Sequence, residues 1–239
     1  MARKYANDAI FQNCILTSLP STDVELFRSH LSHVTLVSGQ VLYEPNSPIT
    51  DVFFVDRGVV SLTANTNDDS HVEVGLTGRE GFVGTQLILN PAPYAVHRAL
   101  TQVPGTAYRM SSAAFRSAID RSAALRDRCL RYVETLMIQA SQVAACNARH
   151  NLPERLARWL LMVRDRIGTD NLPMTQEFLS VMLGVRRPGV SVAASTLQAG
   201  GLIRVMRGHV LVLDHEGLTT AACECYQIIQ ESRLRVLGQ

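Results

Sequence analysis

Lysine is almost missing from this 239-residue chain: Lys4 is the only one, so nearly all positive charge is carried by arginine. A GC-rich genome produces that bias, and so does a surface shaped to hold phosphates and guanine edges, which the planar guanidinium fork suits better than an ammonium. Charge of one sign is also missing. The formal net charge is +2, so overall charge announces no polyanionic partner. Long apolar runs are absent as well. Runs such as VFFV at Val52 to Val55 and VLVL at Val210 to Leu213 fall far short of the ~20 residues that cross a bilayer, and no transmembrane helix or membrane partner is expected. The first twenty residues, MARKYANDAIFQNCILTSLP, carry a basic pair but no sustained apolar core before a small-residue cleavage site. That pattern predicts no export signal and a cytoplasmic protein.

Paired metal-ligand spacing is missing too. Five cysteines, Cys14, Cys129, Cys146, Cys223 and Cys225, show no C-x-x-C pair, and their odd number argues against a disulfide framework. Cys223 and Cys225 are close in sequence, but helical residues two apart point in different directions, so they are not expected to converge. His30-x-x-His33 lacks a third ligand at readable spacing, and His71 and His97 are isolated. H-E-x-x-H, G-x-S-x-G and a phosphate-binding loop are all absent. No cofactor or metal site is recognisable, and an enzyme reading survives only as a cupin-like oxygenase on the β-rich segment.

That segment runs from about Leu36 to Met110: VTLVSGQVLYE, TDVFFVDRGVVSLTA, HVEVGLT, GFVGTQLIL, AVHRALTQV and GTAYRM, separated by glycine and polar turns. Short β-branched and aromatic runs with this punctuation predict an antiparallel barrel or roll, with Gly39, Gly58, Gly75, Gly78, Gly81 and Gly84 at turns or close approaches. Before it, TSLPSTDVELFRSHL predicts a short helix capped by Ser21 or Thr22.

From Ser112 to about His150 there is neither glycine nor proline, which predicts one long helix. Leu130, Val133, Met137, Ala140 and Ala144 recur at alternating three- and four-residue steps, as in a coiled-coil seam. The same stripe would serve a helix lying on its own domain. A second row, Leu125, Cys129, Leu136 and Val143, is available for that contact, which favours the first row as the interface of a parallel dimer. Asn151-Leu152-Pro153 ends the helix and marks a hinge. ERLARWLLMVRDRIG, with Leu156, Trp159, Leu160 and Val163 on one face, predicts an amphipathic helix stopping near Gly168.

Thr175 caps the next predicted helix, Glu177 lies in its first turn, and Gly184 ends it. Pro188 fits the first turn of a second helix whose inward face is Val190, Ala193, Ala194 and Leu197. Two short helices joined by a glycine-containing turn form a helix-turn-helix, whose second helix enters the DNA major groove by its N-terminal end. Arg186 and Arg187 stand at that end, where positive charge opposes the helix dipole unless a polyanion compensates. Thr175, Gln176, Gly189, Ser191 and Ser195 complete the candidate DNA surface. Gly200-Gly201 closes the helix, and LIRVMRGHVLVL predicts a hairpin wing turning at Arg207-Gly208, with Arg204, Arg207 and His209 along it. From Ala148 to Val212 there are nine arginines against four acids, Glu154, Asp165, Asp170 and Glu177, a local positive excess of the kind nucleic acid requires.

G-R-E-G-F-V-G at Gly78 to Gly84, L-x-R-W-L-L at Leu156 to Leu161, and T-Q-E-F-L-S-V-M-L-G-V-R-R-P-G-V from Thr175 to Val190 resemble the Crp/Fnr transcriptional regulators, and the order of parts agrees over nearly the whole chain. The resemblance implies an α+β chain: an antiparallel, jelly-roll-like β-roll sensor (1–110), a dimerisation helix (111–150) and a winged helix-turn-helix (151–239). It implies a homodimer on a palindromic operator, with Arg187 reading a base beside Arg186 and Ser191, and RNA polymerase as a candidate partner. Members that bind cyclic AMP carry a glutamate after the glycine matching Gly84, and an arginine followed by a small hydroxyl residue about ten positions on, to take the ribose hydroxyl and phosphate. Here those positions read Thr85-Gln86 and Ala95-Val96. Arg98 approaches the slot only with a shifted loop, so no cyclic AMP site is expected. The amino-terminal cysteine set of the iron–sulfur members is likewise absent. The leading expectation is a DNA-binding regulator; the alternative is an effector sensor in which the roll, responding to a small molecule or redox signal, controls DNA binding.

Overall fold

A computed structural model describes residues 11–65 and 71–238; the stretch read for an export signal lies partly outside them. Two short helices come first, α1 (Cys14–Thr17) and α2 (Ser21–Glu25). Asn13 caps α1 by accepting from the Leu16 amide. The second helix is not capped by Ser21 or Thr22. It starts from Pro20 without a side-chain cap, and Ser21 is already helical, because proline's fixed φ suits a helix start.

The β unit contains β1 (Ser32–Leu36), β2 (Val41–Tyr43), β3 (Asp51–Asn65), β4 (His71–Thr77), β5 (Phe82–Val83), the helical turn α3 (Gln86–Leu89) and β6 (Arg98–Ser111). Every pairing is antiparallel, in the order β1-β6-β3-β4, with β2 added on β6 and β5 on β3. Two segments read separately, AVHRALTQV from Arg98 onward and GTAYRM, belong to the single long strand β6, and QLIL is helical rather than extended. Pro104 is tolerated in β6 because the ladder shifts there, from Arg57↔Thr106 to Val59↔Val103. A Cβ on Gly58 would stand 2.5 Å from the Val103 carbonyl oxygen, so glycine permits the close crossing that bends the sheet. Gly75 is no turn residue: it lies within β4. Inside the roll, Phe54, Phe82 and Phe115 pack with ring centroids 5.5 to 6.2 Å apart. Each such buried side chain contributes roughly 1.5–3 kcal/mol.

The expected single helix from Ser112 is two: α4 (Ser112–Arg121) and α5 (Ala123–Arg149). Ser122 breaks them in extended conformation, accepts from the Leu125 amide as the cap of α5, and donates to Asp23 Oδ2 at 2.6 Å. That hydrogen bond to a residue 99 positions earlier offers the serine a partner that a continuous helix would not. Leu125 and Cys129 are fully buried and Leu136 packs against the roll core, so these three of the second apolar row face the chain's own β unit, while Val143 is half-buried beside the groove between β4 and α5.

Beyond the hinge come α6 (Leu152–Ile167), β7 (Asn171–Leu172), α7 (Gln176–Leu183), α8 (Arg187–Ala199), the hairpin β8 (Ile203–Met206) and β9 (His209–Val212), α9 (His215–Ala221) and α10 (Cys225–Leu237). A capping box between Asn151 and Glu154 starts α6, and left-handed Gly168 ends it. Val190, Ala193, Ala194 and Leu197 are buried as expected, against Leu156, Leu160, Leu179 and Met182. This second core is not sealed off from the first unit, since Val59, Leu76 and Val103 of the roll belong to it. Helix α10 returns along α5, and Arg128 Nη1 on α5 donates to the Leu237 carbonyl.

Cys223 precedes α10 and Cys225 begins it. The two thiols therefore do not diverge as helical neighbours would; they converge on Cys146 and His150.

Candidate nucleic-acid interface

Thr175 Oγ1 accepts from the Phe178 amide and fixes the start of α7; Gly184, at φ +63°, turns the chain within two residues toward α8. A residue with a Cβ in that left-handed conformation is strained, and its Cβ would also meet Val72 of β4 at 3.1 Å. Arg186 takes the N-cap position of α8 with no capping hydrogen bond, and Pro188 lies in the first turn. The inward face is closed by four buried apolar residues, so the outward face is what remains for a partner.

Arg186 and Arg187 are both exposed. Arg187 Nη1 lies 3.9 Å from Glu177 Oε2, but the two side chains are 66% and 72% exposed, so solvent screens the pair and leaves the guanidinium available. Thr175 and Ser195 are exposed; Gln176 and Ser191 are half-buried, and Ser191 Oγ donates to Gln176 Oε1 at 2.9 Å. Gly189 is half-buried, and a Cβ there would lie 3.3 Å from Leu152. Arg204, Arg207 and His209 are exposed on the wing, and the Val205 amide donates to Gln198 Oε1, tying the wing to α8. Sequence reading missed Val192, an apolar side chain 68% exposed on α8. Its phase, opposite to Val190, Ala193, Ala194 and Leu197, was the available signal, and such a side chain suits a thymine methyl.

A buried polar network joins this unit to the roll. Arg166 of α6 donates to the Met162 and Leu76 carbonyls and to Gln139 Oε1 of α5, and its Nε lies 2.8 Å from Glu80 Oε1. Glu80 also accepts from the Gly78 amide, so the G-R-E-G loop, the long helix and α6 meet at one guanidinium. Trp159 Nε1 donates to Glu73 Oε1, and the Ser61 hydroxyl lies 2.8 Å from Glu73 Oε2. Burial drives the Glu73 pKa up to about 7, while Ser61, Trp159 and the Arg158 and Arg166 charges pull the other way.

Where a cyclic nucleotide would sit by resemblance, beneath Gly84, Thr85 and Ala95, the cavity is ≈ 10 Å³, at the lower limit for one water. Arg98 Nε pairs with Glu44 at 3.3 Å, and Ala95 is buried. A larger apolar groove of ≈ 550 Å³ runs between β4 and α5, bordered by Val72, His97, Leu136, Met137 and Ala144. Burial lowers the His97 pKa. Val133, Met137, Ala140 and Ala144 of the seam border this groove: Met137 is 66% exposed, Ala140 and Ala144 are exposed and Val133 is half-buried, while Leu130, a turn earlier, is 44% exposed. Among the described residues no helix is long and apolar enough to cross a membrane.

The cyclic nucleotide-binding domain family matches residues 33–122, and the Crp-like helix-turn-helix domain family matches residues 154–221. The CRP-like cAMP-activated global transcriptional regulator of Mycobacterium tuberculosis is 22% identical over 215 residues, covering 87% of this chain and 96% of that protein. Among solved structures, FixK2 from Bradyrhizobium japonicum aligns with a TM-score of 0.69 at 16% identity, over 81% of this chain and 98% of that one. The c-di-GMP responsive global regulator CLP of Xanthomonas campestris aligns at 0.68 and 17% identity, over 82% of this chain and all of the other. With a sensor-type roll, a helix-turn-helix and family matches to both in this order, the chain belongs to the Crp/Fnr family of DNA-binding transcriptional regulators.

Proposed function

We propose that the protein works as a cytoplasmic homodimer on a palindromic operator, that α8 of each protomer enters the major groove, and that its roll does not take cyclic AMP. The observation that carries this reading is the exposed pair Arg186 and Arg187 at the start of α8, a helix whose other face is committed to the core. Two guanidinium groups there are unfavourable for the isolated helix and favourable against DNA. In this reading Arg187 contacts a base, Arg186, Thr175, Gln176, Ser191 and Ser195 flank it, Gly189 lets the hinge pack close to α8, and Arg204 and Arg207 hold phosphates. The exposed stripe Leu130, Met137, Ala140 and Ala144, with Val133 beside it, supports a two-fold pairing of α5 that sets half-sites about 10 base pairs apart. The filled slot beneath Gly84 and the engagement of Arg98 by Glu44 support a roll without cyclic AMP.

A second reading, compatible with the first, makes the groove between β4 and α5 an effector site whose occupancy is passed to α6 through Glu80 and Arg166. The groove volume and the buried ion pair support it. RNA polymerase is the partner through which the bound dimer would act on transcription; catalysis has no part in either reading. Sequencing of DNA fragments that co-purify with the full-length protein tests the proposal. Inverted half-sites at one-turn spacing are the expected result, and enrichment without any shared motif would overturn sequence-specific recognition.

A further inference from the structure

Cys146, His150, Cys223 and Cys225 each point a ligand atom into one small volume, with all four atoms within 4.8 Å of one another. Cys146 and His150 share a face at the end of α5, one turn apart. Cys223 and Cys225 come from the start of α10, 77 residues from their partners in the case of Cys146 and Cys223. Cys146 Sγ and Cys223 Sγ are 3.4 Å apart, and Cys225 Sγ is 3.5 Å from His150 Nδ1. A tetrahedral ion with metal–sulfur bonds near 2.3 Å and metal–nitrogen bonds near 2.0 Å has ligand–ligand edges of about 3.5–3.8 Å. Two of the cluster's edges are within 0.1 Å of that range and none exceeds 4.8 Å, so ligand atoms this close would surround a single ion rather than irons bridged by sulfide.

Three further features point the same way. The imidazole is oriented from behind: His150 Nε2 lies 3.2 Å from Glu224 Oε1, leaving Nδ1 for the thiols, the carboxylate–histidine arrangement of metal sites. The three cysteines form a buried cluster of their own, apart from both larger cores, so packing alone does not account for their choice. Finally, Arg158 is 3% exposed, and its charge together with that of Arg155 acts on the cluster. A divalent ion with three thiolates and a neutral imidazole carries one net negative charge, which those guanidinium groups offset.

We propose that these four side chains bind one zinc ion, which fastens α10 to the end of the long helix at the hinge leading into the DNA-binding unit. Soft thiolates with one imidazole favour zinc among abundant divalent ions, and the thiol protons pass to solvent as the ion binds. The assignment rests on these side chains alone and is independent of the operator reading.

The test uses untagged full-length protein purified anaerobically under reducing conditions. Elemental analysis should find one zinc per chain, and exchange with cobalt(II) should give the visible bands of a tetrahedral site with near-ultraviolet thiolate charge transfer. Cys223→Ser should lose the metal, while Cys14→Ser, remote from the cluster, should keep it. Glu224→Gln alters only the exposed carboxylate behind His150 and should lower zinc affinity about tenfold without unfolding the chain. Substoichiometric trace metal with no cobalt bands would overturn the proposal. So would iron with acid-labile sulfide, or a Cys146–Cys223 disulfide mapped in protein taken directly from cells, which would make the cluster a redox pair instead.

Discussion

Trp159 Nε1 on α6 donates a 2.9 Å hydrogen bond to Glu73 Oε1 on β4, joining the first helix of the DNA-binding unit to the roll through two buried side chains. Because burial raises the Glu73 pKa from 4.5 to about 7, the folded protein holds that proton more tightly than the unfolded chain does. Stability contributed by the neutral carboxyl is therefore complete below about pH 4.5 and is lost as pH rises toward about 7. Glu73→Gln keeps an acceptor for Trp159 and removes the titration. Urea unfolding followed by the fluorescence of this single tryptophan should show the variant gaining on the wild type between pH 5 and 8, by on the order of 3 kcal/mol at most. Parallel pH profiles for the two proteins would refute the raised pKa.

Arg187→Ala should lower discrimination at one base pair per half-site by roughly 1–3 kcal/mol, read from binding to randomised duplexes. Arg204→Ala and Arg207→Ala should leave the preferred site unchanged and flatten the salt dependence, each by about one unit of slope. If Arg187→Ala behaved like the wing variants, its side chain would be a phosphate contact rather than a base reader.

Met137→Glu places a charge on an exposed apolar position of α5 without disturbing the buried row that packs on the roll. In a dimer seam that charge is desolvated twice, and dimer dissociation should increase on the order of 100-fold or more. Light scattering across a dilution series gives the answer. A dimer as tight as the wild type would move the interface elsewhere.

Titration calorimetry with cyclic AMP at millimolar concentration should give no saturable heat, since Ala95 and the paired Arg98 offer no anchor for the phosphate. Tight binding would restore a nucleotide site that the residues beneath Gly84 do not suggest.

The helix-turn-helix was readable residue by residue because its signals are local: a capping threonine, a left-handed glycine, a proline in the first turn and an apolar face with helical period. The wing followed from the Arg207-Gly208 turn for the same reason. Two segments depart from what their local pattern suggested. Ser122 breaks a run that favours continuous helix because Asp23 and the Leu125 amide hold it in extended form. The TQLIL segment, apolar enough for a strand, turns helical at the rim of the roll.

By itself the sequence determined the order of units and the position of the helix-turn-helix, because periodicity and caps act within a few residues and are written where they act. Tertiary structure alone decided that the two cores interlock through Val59, Leu76 and Val103, that Arg166 meets Glu80, and that three cysteines and a histidine gather at the hinge. Those pairings join residues scores of positions apart. Only the folded backbone brings them within reach, through the burial of apolar surface that no single segment can complete alone.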